Sequence, residues 1–198
     1  MGEKFSLFSF EADYDQWDLL AILSDFVLFH TKGNIIEIGI GETSSIFTVL
    51  SKKYEREVYH CDVDKGRVEN HLQHKKYFDP KRNSIFVGSS DKFFKQVSFS
   101  PIALGFIDGG HMYEQAKKDF ENLFSCVVDN GYIFIHDTYP PKELQLEERY
   151  CGTSYLLRQD LEKDLRVDCF TFTESADNFG LTMVRKRPND LPYYQKSL

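Results

Sequence analysis

Residues 34–45 read Asn-Ile-Ile-Glu-Ile-Gly-Ile-Gly-Glu-Thr-Ser-Ser. The first five form an apolar run broken only by Glu37, short enough for a buried strand and too short for a stable helix. Gly39 and Gly41 then turn the chain, and from Ser44 to about residue 54 the apolar residues resume at helical spacing. Strand, glycine turn, helix is the opening unit of an open α/β sheet. In such sheets ligands collect at the carboxyl ends of the strands, where loops and helix N-termini present free backbone N–H groups.

The same grammar runs outward in both directions. Upstream, Trp17, Leu19, Leu20, Ile22, Leu23, Phe26, Val27 and Phe29 recur at helical spacing, which predicts a helix over about 15–30 stopped by Gly33. Downstream, apolar runs at 57–61, 84–87, 102–107 and 132–135 read as strands. They end, respectively, in Asp62, in Gly88-Ser89-Ser90-Asp91, in Asp108 and in His136-Asp137. Between the last two, Ala116, Phe120, Leu123, Phe124, Val127 and Val128 form one helical face, with Asn130-Gly131 as its natural C-cap. Alternation of this kind predicts a parallel sheet with helices on both faces.

The end of the chain breaks the alternation. A helix is expected over 154–165, followed by strands at 167–173 and 180–184 joined by a turn rich in Ser, Asp and Asn, as in an antiparallel hairpin. Neither repeat, linker nor low-complexity stretch interrupts the 198 residues. They are therefore expected to form one domain, with an N-terminal helical segment (1–33), a core (34–185) and a tail (186–198).

Composition narrows the function. With 41% hydrophobic and 28% charged residues the chain is an ordinary globular protein, and its net charge of −7 argues against a nucleic-acid partner. Cys61, Cys126, Cys151 and Cys169 show no C-x-x-C spacing, so neither a zinc knuckle nor a disulfide framework is signalled, and reduced thiols in a cytoplasmic protein are expected. The apolar runs fall short of the ~20 residues a membrane span needs, and the first residues lack a basic-then-apolar leader, so no membrane partner is expected. Phe5, Phe8 and Phe10 make the N-terminal segment a place where a second subunit would dock in a homo-oligomer. With Trp17 and the 139–150 loop, they also offer walls for an acceptor pocket, although packed aromatics have the same composition.

The strand-end residues carry the chemistry. A dinucleotide fingerprint would need glycine at Ser44, and the acidic Glu37 and Glu42 discourage phosphate, which disfavours a nicotinamide oxidoreductase. Instead, Glu37-x-Gly39-x-Gly41 resembles the first motif of class I S-adenosylmethionine-dependent methyltransferases, with Thr43 standing where many members have a third glycine. The resemblance implies a Rossmann-like, seven-stranded, mostly parallel sheet. It also implies Glu37 at the methionine end of the cofactor, the glycines beneath its amino-acid moiety, and the Ser45 hydroxyl on its carboxylate. Asp62, with Asp64 as the alternative, matches the acid that receives both ribose hydroxyls. Ser89, Ser90 and Asp91 match the loop beside the adenine.

The segment Phe106-Ile-Asp108-Gly-Gly-His111-x-Tyr-Glu, followed by a helix and Ile-Phe-Ile-His136-Asp137-Thr138, resembles the metal-dependent small-molecule O-methyltransferases of the catechol and macrocin types. In an α/β sheet of this order Asp108 and Asp137 end adjacent strands, and two converging carboxylates need a cation or a shared proton. The resemblance implies Mg²⁺ held by Asp108, Asp137 and Thr138, the last replacing the asparagine of catechol-type enzymes, with Asp108 also bordering the cofactor. It implies His111 as the base at the position of a catalytic lysine, and leaves His136 structural, facing the other side of the sheet or supporting the metal shell. The reaction implied is methyl transfer to a sugar or phenol hydroxyl. The competing readings are a cofactor-binding relative in a hydroxylation pathway and a non-catalytic binding module.

Overall fold

The computed structural model describes residues 16–73, 78–173 and 179–188. Phe5, Phe8 and Phe10 and most of the 186–198 tail lie outside these residues. The chain opens with α1 (Gln16–His30), then alternates β1 (Asn34–Ile38), α2 (Thr43–Tyr54), β2 (Val58–Asp62), α3 (Lys65–Gln73), β3 (Asn83–Val87), α4 (Ser90–Gln96), β4 (Ile102–Ile107), α5 (Tyr113–Cys126) and β5 (Val127–Ile135). A 3₁₀ turn at Glu143–Leu146 and α6 (Tyr155–Leu161) lead into β6 (Val167–Phe172) and β7 (Leu181–Lys186).

The seven strands form one sheet in the order β3-β2-β1-β4-β5-β7-β6. The first five are parallel, and β7 pairs antiparallel with both β5 and β6. Seven strands, mostly parallel, with an antiparallel C-terminal hairpin is the architecture expected above. Because β1 has β2 on one side and β4 on the other, the crossovers reverse there and leave a crevice at its carboxyl end.

Both faces of the sheet are covered, which explains why its central strands read as continuous apolar runs rather than alternating ones. Ile35, Leu104, Phe106 and Phe134 pack with Leu20, Val27 and Phe47 on the α1–α2 side. Ile36, Ile38, Ile107, Ile133 and Ile135 pack with Phe120, Leu123 and Leu157 on the α5–α6 side. Each such buried side chain contributes about 1.5–3 kcal/mol.

Three expectations shift. Val127 and Val128 leave the helix, because Val127 pairs with Ile102 and extends β5 backward across a register break. Asn130 is left-handed as expected (φ 61°) but lies inside β5 rather than capping α5. Finally, α6 ends at Leu161, short of residue 165.

Candidate active site

A cavity of about 430 Å³ opens at the carboxyl ends of β1, β2, β3 and β4. Of the residues expected there, Gly39, Asp62, Ser89, Ser90 and Asp108 line it, joined by Asp64. Asp62 is fixed by two backbone donors: the Ile40 N–H donates to Oδ2 at 2.7 Å and the Asp64 N–H to Oδ1 at 2.7 Å. Each oxygen keeps the capacity to accept a further hydrogen bond.

The two motif glycines do different jobs. Gly39 has φ 93°, and a Cβ there would lie 2.0 Å from the Asp108 carbonyl oxygen, so the exit of β4 packs directly on its backbone. A Cβ on Gly41 would meet nothing within 4 Å.

Glu37 is not where the resemblance implied. It points into the α1–α2 side and is fully buried. Its carboxylate accepts hydrogen bonds from Thr43 Oγ1 (2.8 Å) and Ser44 Oγ (2.7 Å), and lies 2.5 Å from His60 Nδ1. His60 Nε2 in turn lies 3.1 Å from Asn83 Oδ1. Glu37 therefore pins the start of α2 and strand β2 to β1, with its oxygens occupied by the protein. Ser45 is exposed and donates its hydroxyl back to the Glu42 carbonyl at 2.8 Å. Asp91 pairs with Lys118 at 2.5 Å, and neither Ser45 nor Asp91 borders the cavity.

A second cavity of about 290 Å³ adjoins the first, and the two share Arg67, Asp108 and Gly109. Its walls are His111, His136, Asp137, Arg149, Tyr150 and Phe179. Here the parallel pairing of β4 with β5 brings Asp108 and Asp137 together as expected. His136 Nδ1 stands 3.2 Å from Oδ1 of each. Burial opposes the charged imidazole, but hydrogen bonds and charge from the two aspartates push its pKa up to about 10. Burial likewise opposes ionisation of Asp108. The hydrogen bond and charge from His136, with His111 and Arg67 nearby, nonetheless hold its carboxyl below the ordinary carboxylate value. Trp17 of α1 covers this centre, its ring 4.9 Å from that of His136.

His111 Nε2 lies 3.2 Å from Asp137 Oδ2, and Nδ1 lies 2.9 Å from the Glu148 carbonyl oxygen. The Thr153 N–H donates to the His111 carbonyl at 2.9 Å, so the 148–153 segment clasps the loop from both ends. One ligand atom each from Asp108, His111 and Asp137 fall within 4.8 Å of one another. Thr138 does not join them. It is fully buried, with its hydroxyl 3.2 Å from the Gly180 carbonyl and 2.7 Å from Thr182 Oγ1. Asp137 adopts φ 58°, and this turn sends the Thr138 side chain toward β7, away from the carboxylates.

Among the lining residues that were not anticipated are Arg67, Gln115 and Asp119. Asp119 accepts a hydrogen bond from Gln115 Nε2 at 2.9 Å, and burial raises its pKa. It lies on the buried face of α5 with Ala116, Phe120 and Leu123. A carboxylate on the apolar stripe of an amphipathic helix is the signal by which the sequence could have disclosed it.

The sequence profile of a methyltransferase domain family matches residues 36–138, more than half of the chain, and that span holds both motifs and the centre just described. The chain belongs to this methyltransferase family. Solved structures share the methyltransferase's fold. An O-methyltransferase from Bacillus cereus, in complex with S-adenosylhomocysteine, superposes with a TM-score of 0.69 at 14% identity, covering 91% of this chain and 84% of that one. TomG, an O-methyltransferase from Streptomyces achromogenes in complex with S-adenosylmethionine, gives 0.67 at 13%, covering 87% and 80%. An rRNA methylase from Streptococcus thermophilus gives 0.57 at 15%, covering 84% and 95%. A search of curated proteins found no match. Among the described residues, no helix of the methyltransferase is long and apolar enough to cross a membrane.

Proposed function

We propose that this methyltransferase moves the methyl group of S-adenosylmethionine to a hydroxyl oxygen of a small molecule. The observation that carries this reading is the meeting of two cavities at Asp108, one suited to a donor and one to an acceptor. The larger has the size of a cofactor site. The B. cereus and TomG structures, solved with S-adenosylhomocysteine and S-adenosylmethionine, support its assignment to the donor.

In this reading Asp62 accepts both ribose hydroxyls through its remaining lone pairs, and Ser89 and Ser90 border the adenine. Asp108 stays ionised at the junction, where its charge favours a cationic sulfonium on one side and orients an acceptor hydroxyl on the other. The S–C bond breaks with its electron pair left on sulfur and an O–C bond forms. The hydroxyl proton leaves to water, to which the second cavity is open. The Asp108 and Asp137 oxygens fit a divalent cation, which when bound draws charge from the acceptor oxygen and favours its ionised form. Among the described residues, the acceptor walls carry Arg67, Arg149 and His136 beside the rings of Tyr150 and Phe179, a lining whose charge favours a sugar hydroxyl over a flat phenol.

The test is methyl transfer from labelled S-adenosylmethionine to a panel of sugar and phenol acceptors. Asp108→Asn and Asp137→Asn should each lower turnover at least ~10²-fold. Undiminished transfer by both variants would contradict the reading.

A further inference from the structure

We propose that His111 is a metal ligand rather than a free base, and that the Asp108–His111–Asp137 set selects a borderline divalent cation such as Co²⁺ or Zn²⁺ over Mg²⁺. This rests on the reading that the carboxylate pair holds a cation. It replaces both the third ligand and the metal expected from the sequence.

Three observations carry it. The oxygen donor expected to complete a Mg²⁺ site is absent, since Thr138 spends its hydroxyl on Gly180 and Thr182 in the core. The Glu148 carbonyl can only accept, so at 2.9 Å it takes the Nδ1 proton of His111 and turns Nε2, the atom that would bind a cation, toward the carboxylates. That nitrogen lies 3.2 Å from Asp137 Oδ2, so a divalent cation that displaces the bridging proton meets both atoms. The 4.8 Å spread of the three donors is close to the ~4.2 Å separating opposite ligands of an ion at ~2.1 Å, so small side-chain rotations close the site.

The outer partners suit a ligand set as well. Glu148 orients the imidazole through its far nitrogen, and His136 hydrogen-bonds Oδ1 of Asp108 and lies equally close to Asp137, as groups behind metal ligands commonly do. Mg²⁺ prefers an all-oxygen shell, whereas imidazole suits the later divalent ions. Replacing one oxygen by Nε2 therefore moves preference away from Mg²⁺.

Trp17 makes the test direct, because it is the only tryptophan of the chain and its ring lies 4.9 Å from that of His136. Co²⁺ would be titrated into the full chain, following Trp17 quenching and the visible Co²⁺ bands, and then displaced with Mg²⁺. The same titration would be run on His111→Asn, which restores an oxygen donor, and on His111→Ala. The ratio of Co²⁺ to Mg²⁺ affinity should be at least ~10-fold larger in the native protein than in His111→Asn. Equal ratios, or a Co²⁺ spectrum unchanged in both variants, would overturn the proposal. Calorimetry with S-adenosylhomocysteine in cation-free buffer separates the two claims: binding there with no response to Co²⁺ sinks the metal site and leaves the methyltransferase reading standing.

Discussion

His136 Nδ1 and Asp108 Oδ1 lie 3.2 Å apart, joining the ends of β5 and β4 through residues 28 positions apart in sequence. Asp137 Oδ1 is equally close to the same nitrogen, so one buried imidazole serves two carboxylates. This arrangement supplies, from within the chain, part of the positive charge that two converging carboxylates need.

The centre should make stability depend on alkaline pH. The folded pKa of His136, near 10, lies above its ordinary value of 6.5. The associated stability is therefore fully present below about pH 6.5 and lost as pH rises through 10. Thermal unfolding from pH 6 to 10 should show a steeper fall for the native chain than for His136→Gln. Parallel curves would contradict the pairing.

Gly39 and Gly41 should behave oppositely despite sharing a motif. Gly39→Ala puts a Cβ against the Asp108 carbonyl at a left-handed φ and should cost about 3 kcal/mol or more. Gly41→Ala enters open space and should change stability by less than about 1 kcal/mol. Urea unfolding of both variants decides it. Equal losses would mean that the turn is built otherwise.

Thr138→Val separates a core hydroxyl from a metal ligand. Losing the bonds to Gly180 and Thr182 should cost about 1–3 kcal/mol of stability while leaving cation affinity within about threefold. A tenfold or greater loss of cation binding would restore Thr138 to the site.

The sheet was legible because parallel strands buried on both faces leave an unambiguous mark. The 34–38 run became β1 unchanged, and Asp62, Asp108 and Asp137, which follow the runs ending at 61, 107 and 135, arrived at the carboxyl end of the sheet. Side-chain direction at the strand ends was not legible. Strand alternation aims Glu37 at the α1–α2 layer, where Thr43, Ser44 and His60 take it up, and a single left-handed residue, Asp137, parts its side chain from that of Thr138. Such outcomes depend on partners tens of residues away. His136 was read as structural on similar grounds, because its position at a strand end does not disclose that Asp108 lies beside it. Helices α3 and α4 also escaped the periodicity, one being largely polar and the other seven residues long.

The most direct test of the central claim is isothermal titration of the full chain with S-adenosylhomocysteine, beside Asp62→Asn. The variant keeps one oxygen but replaces the other, an acceptor proposed for the ribose hydroxyls, with a donor. The account predicts micromolar binding to the native chain and a loss of about 10–100-fold in the variant, the worth of one or two hydrogen bonds to a charged group. No heat of binding to the native chain, or equal affinity in both proteins, would contradict it.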